Sequence, residues 1–157
     1  WRFAEAFSAV RVDLVDDSGP PFPTDKMKYF DTWLESWDLQ GNVPPKCADC
    51  ANGNISAVLP YYAKTYPKSR LALLSYDHDQ VISGFFGLSP DEFATTLASV
   101  TKDTFDPLPS VRVFELPGTA HTMLGDLTTK STSANKELGA WLGEMTSDSA
   151  AWASVKP

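Results

Sequence analysis

Two short apolar runs each end in residues suited to acid–base chemistry. Leu71-Ala-Leu-Leu-Ser75 leads into Tyr76-Asp77-His78-Asp79-Gln80, and Val111-Arg-Val-Phe-Glu-Leu116 leads into Pro117-Gly-Thr-Ala-His121. In an open parallel sheet, reactive groups sit just past the carboxyl ends of strands, where the loops converge on a crevice. His121 is one of only two histidines, and an imidazole titrates near working pH, as a general base must. Gly118, Thr119 and Ala120 before it are small enough to let a substrate approach. Asp77, directly after its strand, is the acid expected to orient that imidazole and stabilise its protonated form. Asp79, two residues further on, reads as a solvated or capping acid, and His78 as a bystander.

The third member of a Ser-Asp-His set is missing. A nucleophile elbow needs glycines two residues either side of the serine, because the strained turn must fit between strand and helix. No Gly-x-Ser-x-Gly occurs in the 157 residues. Ser18 has Asp16 and Pro20 at those positions, and Ser75 and Ser83 are less suited still.

The elements that must hold these residues follow from pattern. Residues 2–8 read as the end of a helix, and Val10-Arg-Val-Asp-Leu-Val15 alternates as a strand does. Asp16-Asp17-Ser18-Gly19-Pro20-Pro21 is a turn-rich loop. Thr24 is placed to cap a helix from Asp25 to about Trp37, with Met27, Phe30, Trp33 (or Leu34) and Trp37 as its apolar stripe. Asn54 is placed to cap a helix carrying Ile55, Val58, Leu59 and Tyr62. Ser89-Pro90-Asp91-Glu92 is a capping box with proline at the first helical position. A Thr/Ser-rich loop then leads to a last helix with Leu138, Trp141, Leu142 and Met145. Strands alternating with helices predict an α/β fold with parallel strands and right-handed crossovers. Three strands are few for such a sheet, so residues 1–157 are expected to form one partial domain, half of a larger sheet.

Composition narrows the partners. A chain of 17.2 kDa with 43% hydrophobic residues and five tryptophans can build a core. A net charge of −7 and scattered Lys and Arg argue against nucleic acid and anionic membrane surfaces. No run reaches the ~20 apolar residues of a membrane span. The opening Trp1-Arg-Phe-Ala-Glu-Ala-Phe lacks an initiator methionine and resembles the middle of a helix, which predicts a truncation or processing point.

Cys47-Ala-Asp-Cys50 holds the only two cysteines. A small disulfide loop, free thiols and a reactive pair all fit this spacing. The extended Val43-Pro-Pro-Lys before the pair favours the structural disulfide over a redox helix start.

Taken together, Val12-Asp-Leu-Val-Asp-Asp-Ser-Gly19, Val43-Pro-Pro-Lys-Cys47, Tyr76-Asp-His-Asp-Gln80 and the histidine after the last strand resemble the pectin acetylesterase/Notum family of serine carboxylesterases. The resemblance runs from residue 10 to the end. It implies an α/β-hydrolase-like fold and removal of O-acyl groups from a carbohydrate or small ester, in a secreted or extracytoplasmic protein. It implies Asp77 and His121 as triad members, and Asp17, Ser18 and Gly19 as residues shaping the pocket floor. It also implies that Gln80, in the Asp-x-x-Gln motif, positions the loop. The family's serine would lie shortly before Trp1, so the missing amino-terminal half is the expected partner. No metal or organic cofactor is implied.

Two other functions compete. A non-catalytic binding domain of hydrolase shape would lack the upstream serine altogether. A redox protein built on Cys47 and Cys50 would show a thiol pKa well below ~8.5.

Overall fold

A computed structural model describes residues 1–157 throughout. Three strands, β1 (Leu14–Asp17), β2 (Leu71–Tyr76) and β3 (Val111–Leu116), form a parallel sheet in the order β1-β2-β3. β2 and β3 are almost wholly buried because helices cover both faces of the sheet, and only Arg112 and Glu115 of β3 are charged. This is an α/β fold.

The helices are α1 (Arg2–Ala6), α2 (Phe30–Ser36), α3 (Leu39–Asn42), α4 (Val58–Thr65), α5 (Gln80–Phe86), α6 (Pro90–Val100) and α7 (Leu138–Thr146). Alternation along the strands sorts the core into two clusters. Leu71, Leu73, Val111 and Val113 pack with Leu59 and Tyr62 of α4, Trp33 of α2, and Phe93 and Leu97 of α6. Ala72, Leu74, Phe114 and Leu116 pack on the other face against Leu138, Trp141 and Met145 of α7. The outer edge of β3 is closed by Val155, whose N–H and C=O bond Val113 and Glu115.

The capping box forms as expected: Ser89 Oγ accepts from Glu92 N–H, and the Glu92 carboxylate accepts from Ser89 N–H at 2.8 Å. Other boundaries differ. The first strand begins at Leu14, not Val10, because Asp13 takes the Arg70 N–H with its side chain at 2.8 Å instead of joining the ladder. Residues 25–37 do not form one helix. Thr24–Lys26 is a single 3₁₀ turn without a side-chain cap, and extended Met27 separates it from α2. Asn54 likewise caps nothing; its side chain bonds Asp49 C=O and Ser56 Oγ, and a 3₁₀ turn (Ile55–Ala57) precedes α4. Pro60 sits in the first turn of α4, where its missing N–H costs no helical bond. The Thr/Ser-rich segment carries a small antiparallel pair, β4 (Lys130–Ser131) with β5 (Lys136–Glu137). Cys47 and Cys50 are joined in a disulfide. No helix is long and apolar enough to cross a membrane.

Candidate active site

The candidate site is built at the carboxyl ends of β2 and β3. β2 ends at Tyr76, and the chain turns through Asp77 and His78 into α5. Asp79 is the N-cap of α5, with its Oδ1 accepting from the N–H groups of Val81 (2.9 Å) and Ile82 (3.0 Å). Its other oxygen, Oδ2, lies 2.9 Å from Nδ1 of His121. Asp79 is completely buried, while the His121 side chain is 32% exposed. A carboxylate oxygen accepts, so in the neutral imidazole this contact places the proton on Nδ1 and leaves the lone pair on Nε2. Nε2 makes no hydrogen bond within the chain and is free to take a proton from a nucleophile.

Asp77 therefore does not occupy the position expected for the orienting acid. Its Oδ1 accepts from Gly118 N–H and faces His78 Nδ1, both at 2.8 Å. The reason is local: Asp77 N–H still bonds Leu116 C=O as an extension of the ladder, so its carboxylate is spent on the Gly118 turn. Asp79 is a capping acid, as its place in the loop suggested, but it is buried rather than solvated. Its sequence signal was an aspartate before Val81, Ile82, Phe85 and Phe86, closed by Gly87, which is a short helix with both ends marked. Gly87 has φ 74°, the left-handed conformation that ends such a helix.

The loop carrying His121 is held from two sides. On one side, His78 N–H bonds Gly118 C=O at 3.0 Å and Gln80 N–H bonds Thr119 C=O at 3.2 Å. Gln80 thus ties the loop by its backbone, as the first residue of α5. On the other side, Asp17 accepts from Met123 N–H at 2.8 and 3.0 Å and from Leu124 N–H at 3.0 Å. Ser18 Oγ accepts from Thr122 N–H at 3.1 Å. Ser18 and Thr122 both have positive φ, 73° and 63°, an uncommon conformation for residues with a Cβ. Gly19 N–H bonds Asp16 Oδ1 at 2.9 Å; a Cβ on Gly19 would meet that oxygen at 2.8 Å. Asp17 and Ser18 are a clamp on the His121 loop, while Gly19 closes the turn back onto Asp16; Ser18 is buried with its hydroxyl already engaged.

The charges around the site are uneven. Burial pushes the Asp16 carboxyl up to about 6, against the bond from Gly19 N–H and helped by the neighbouring Asp17 charge. The bond to Asp77 raises the His78 imidazole above its ordinary value. Burial, then the Asp77 charge, raises Glu115, with Lys156 acting in the opposite direction. No three His, Cys, Asp or Glu side chains are gathered as metal ligands.

Compared with protein-family models, with curated protein sequences and with solved structures, the chain finds no match in any of the three.

Proposed function

We propose that the chain supplies the acid–base half of a serine carboxylic ester hydrolase acting on O-acyl, in particular O-acetyl, groups of a carbohydrate or small ester. The observation that carries this reading is the His121 Nδ1–Asp79 Oδ2 bond at the carboxyl ends of adjacent parallel strands, with the far imidazole nitrogen open. His121 takes the proton of a serine outside these 157 residues; Asp79, in place of Asp77, holds the tautomer and stabilises the imidazolium. The serine oxygen adds to the ester carbonyl and the alcohol leaves with the proton from His121. Water, deprotonated by the same nitrogen, then releases the acid. The Cys47–Cys50 bond supports a secreted or extracytoplasmic setting, where disulfides persist.

The test is the intact mass of the native protein after treatment with a serine-directed fluorophosphonate. The expected result is one label on a species heavier than 17.2 kDa, lost when His121 is replaced by alanine. A native 17.2 kDa species that takes no label overturns the esterase and leaves a binding domain of hydrolase shape.

A further inference from the structure

At the opposite end of the sheet, the segments that lead into β2 and β3 and residues 148–152 line an open cavity of about 370 Å³. Lys68, Arg70 and Arg112 line it, so three of the chain's 13 Lys and Arg converge here in a protein of net charge −7. Its one carboxylate, Asp148, is already paired with Arg11 and Arg70. The local balance is the reverse of the protein's as a whole.

The cations are not equivalent. Arg70 is structural: its guanidinium donates to the carbonyls of Glu144, Met145 and Ser149 at 3.0 to 3.4 Å, closing the last turn of α7. Arg112 donates only through Nη1, to Leu108 C=O and Val111 C=O, leaving Nε and Nη2 without a partner in the chain. Lys68 makes no ion pair and lies exposed at the mouth. The Arg70 and Arg112 guanidiniums sit 5.1 and 5.7 Å from the centre of the same ring, that of Trp152. Arg70 is paired with Asp148, whereas no carboxylate of the chain is paired with Arg112.

A second, independent observation points to a ligand. Only three buried side-chain polar atoms in the chain lack a hydrogen-bond partner, and two of them, Ser110 Oγ and Trp152 Nε1, belong to residues of this lining. Buried polar atoms are nearly always satisfied, by protein, by water or by a bound ion. Here both orphans can donate, which is what an anion requires.

We propose that this cavity binds a small tetrahedral oxyanion of the phosphate or sulfate type, with Lys68 and Arg112 as its charged donors and Arg70 as a fixed charge in the wall. Ser110 and Trp152, whose Oγ and Nε1 have no partner in the chain, stand in the same wall as neutral donors. Donors from three separate segments favour an anion with three or more acceptor oxygens over a planar carboxylate, which has two. Charge-assisted bonds from a guanidinium to such oxygens are among the stronger ones available. The site is independent of the ester chemistry at His121.

The test is isothermal titration of the purified protein with inorganic phosphate, sulfate and acetate, each against chloride at matched ionic strength. Saturable 1:1 binding of phosphate or sulfate is expected, weakened at least tenfold by Arg112→Gln and several-fold by Lys68→Ala, and unchanged by Lys102→Gln. Phosphate bound alone identifies a phosphate site, and sulfate bound equally well identifies a general oxyanion site. Heats no larger than those of chloride, or binding intact in both cavity variants, overturn the proposal. Acetate bound as tightly as phosphate overturns the tetrahedral assignment. Lys68 is exposed, so its variant keeps the test open even if Arg112→Gln fails to fold.

Discussion

Asp79 divides its carboxylate between two tasks: Oδ1 caps α5, and Oδ2 lies 2.9 Å from His121 Nδ1. The cap fixes the acid and the acid fixes the imidazole, so the start of a helix sets the direction in which Nε2 points. Asp77 does a different job two residues earlier, holding the Gly118 turn.

The first prediction separates these two acids. Asp79→Asn keeps an oxygen for the cap but presents His121 with the wrong partner. In the protein that also carries the serine, it is expected to lower kcat/KM on a short acyl ester by roughly 10²–10⁴-fold, with Asp77→Asn losing much less. A readout free of turnover is the nitrogen NMR of His121. The Nδ1–H tautomer should dominate in the native protein and in Asp77→Asn, and give way to a mixture in Asp79→Ala. Equal losses for both acids would refute the assignment.

The second prediction concerns the clamp. Asp17→Ala strips the acceptor from the N–H groups of Met123 and Leu124. Hydrogen bonds to a charged group contribute about 1.5–3 kcal/mol each, so losing the acceptor of two N–H groups is expected to cost roughly 3–6 kcal/mol on denaturant unfolding. Hydrogen exchange should quicken at Thr122, Met123 and Leu124 before it does in β2. Unchanged protection there would mean that the loop is held by something else.

The third prediction follows from the Asp77–His78 pair. The aspartate raises the His78 imidazole, so the favourable pairing is present below the ordinary histidine pKa and is lost as pH rises through the raised one. Asp77→Asn should move the His78 NMR titration down towards its ordinary value. No movement would show that the pair does not persist in solution.

These relationships were unequally legible in the chain. β2 could be read directly as a continuous apolar run bounded by turns, and β3 as a mostly apolar run interrupted by Arg112 and Glu115. The Ser89 capping box was legible because all of its bonds lie within four residues. His121 followed from its place after a strand. What sequence could not settle was which acid meets it, because that depends on α5 starting at Gln80. α5 has only seven residues, with Gly84 inside it, and its stability comes from Phe86 in the core rather than from helix propensity. The split of residues 25–37 was hidden too. The stripe from Met27 to Trp37 satisfies helical spacing, yet Met27 and Phe30 reach the core from either side of a break.

The last prediction rests on Asp16, whose carboxyl is pushed up to about 6 by burial. In the unfolded chain the group titrates near its ordinary value of 3.8, so the folded state binds the proton more tightly. The sign follows directly. Asp16 makes its full contribution at low pH, and that contribution is lost as pH rises from about 4 through about 6. Above that range the buried charge costs the fold about 1–3 kcal/mol. Asp16→Asn removes the charge and retains an oxygen for Gly19 N–H, at 2.9 Å in the native protein. The variant should therefore melt higher than the native protein at pH 7.5 and at nearly the same temperature at pH 4.5. Thermal unfolding of both proteins across that range checks it. A native protein whose stability does not fall between those pH values, or a variant less stable at pH 7.5, would show that the Asp16 charge is better solvated than its burial implies.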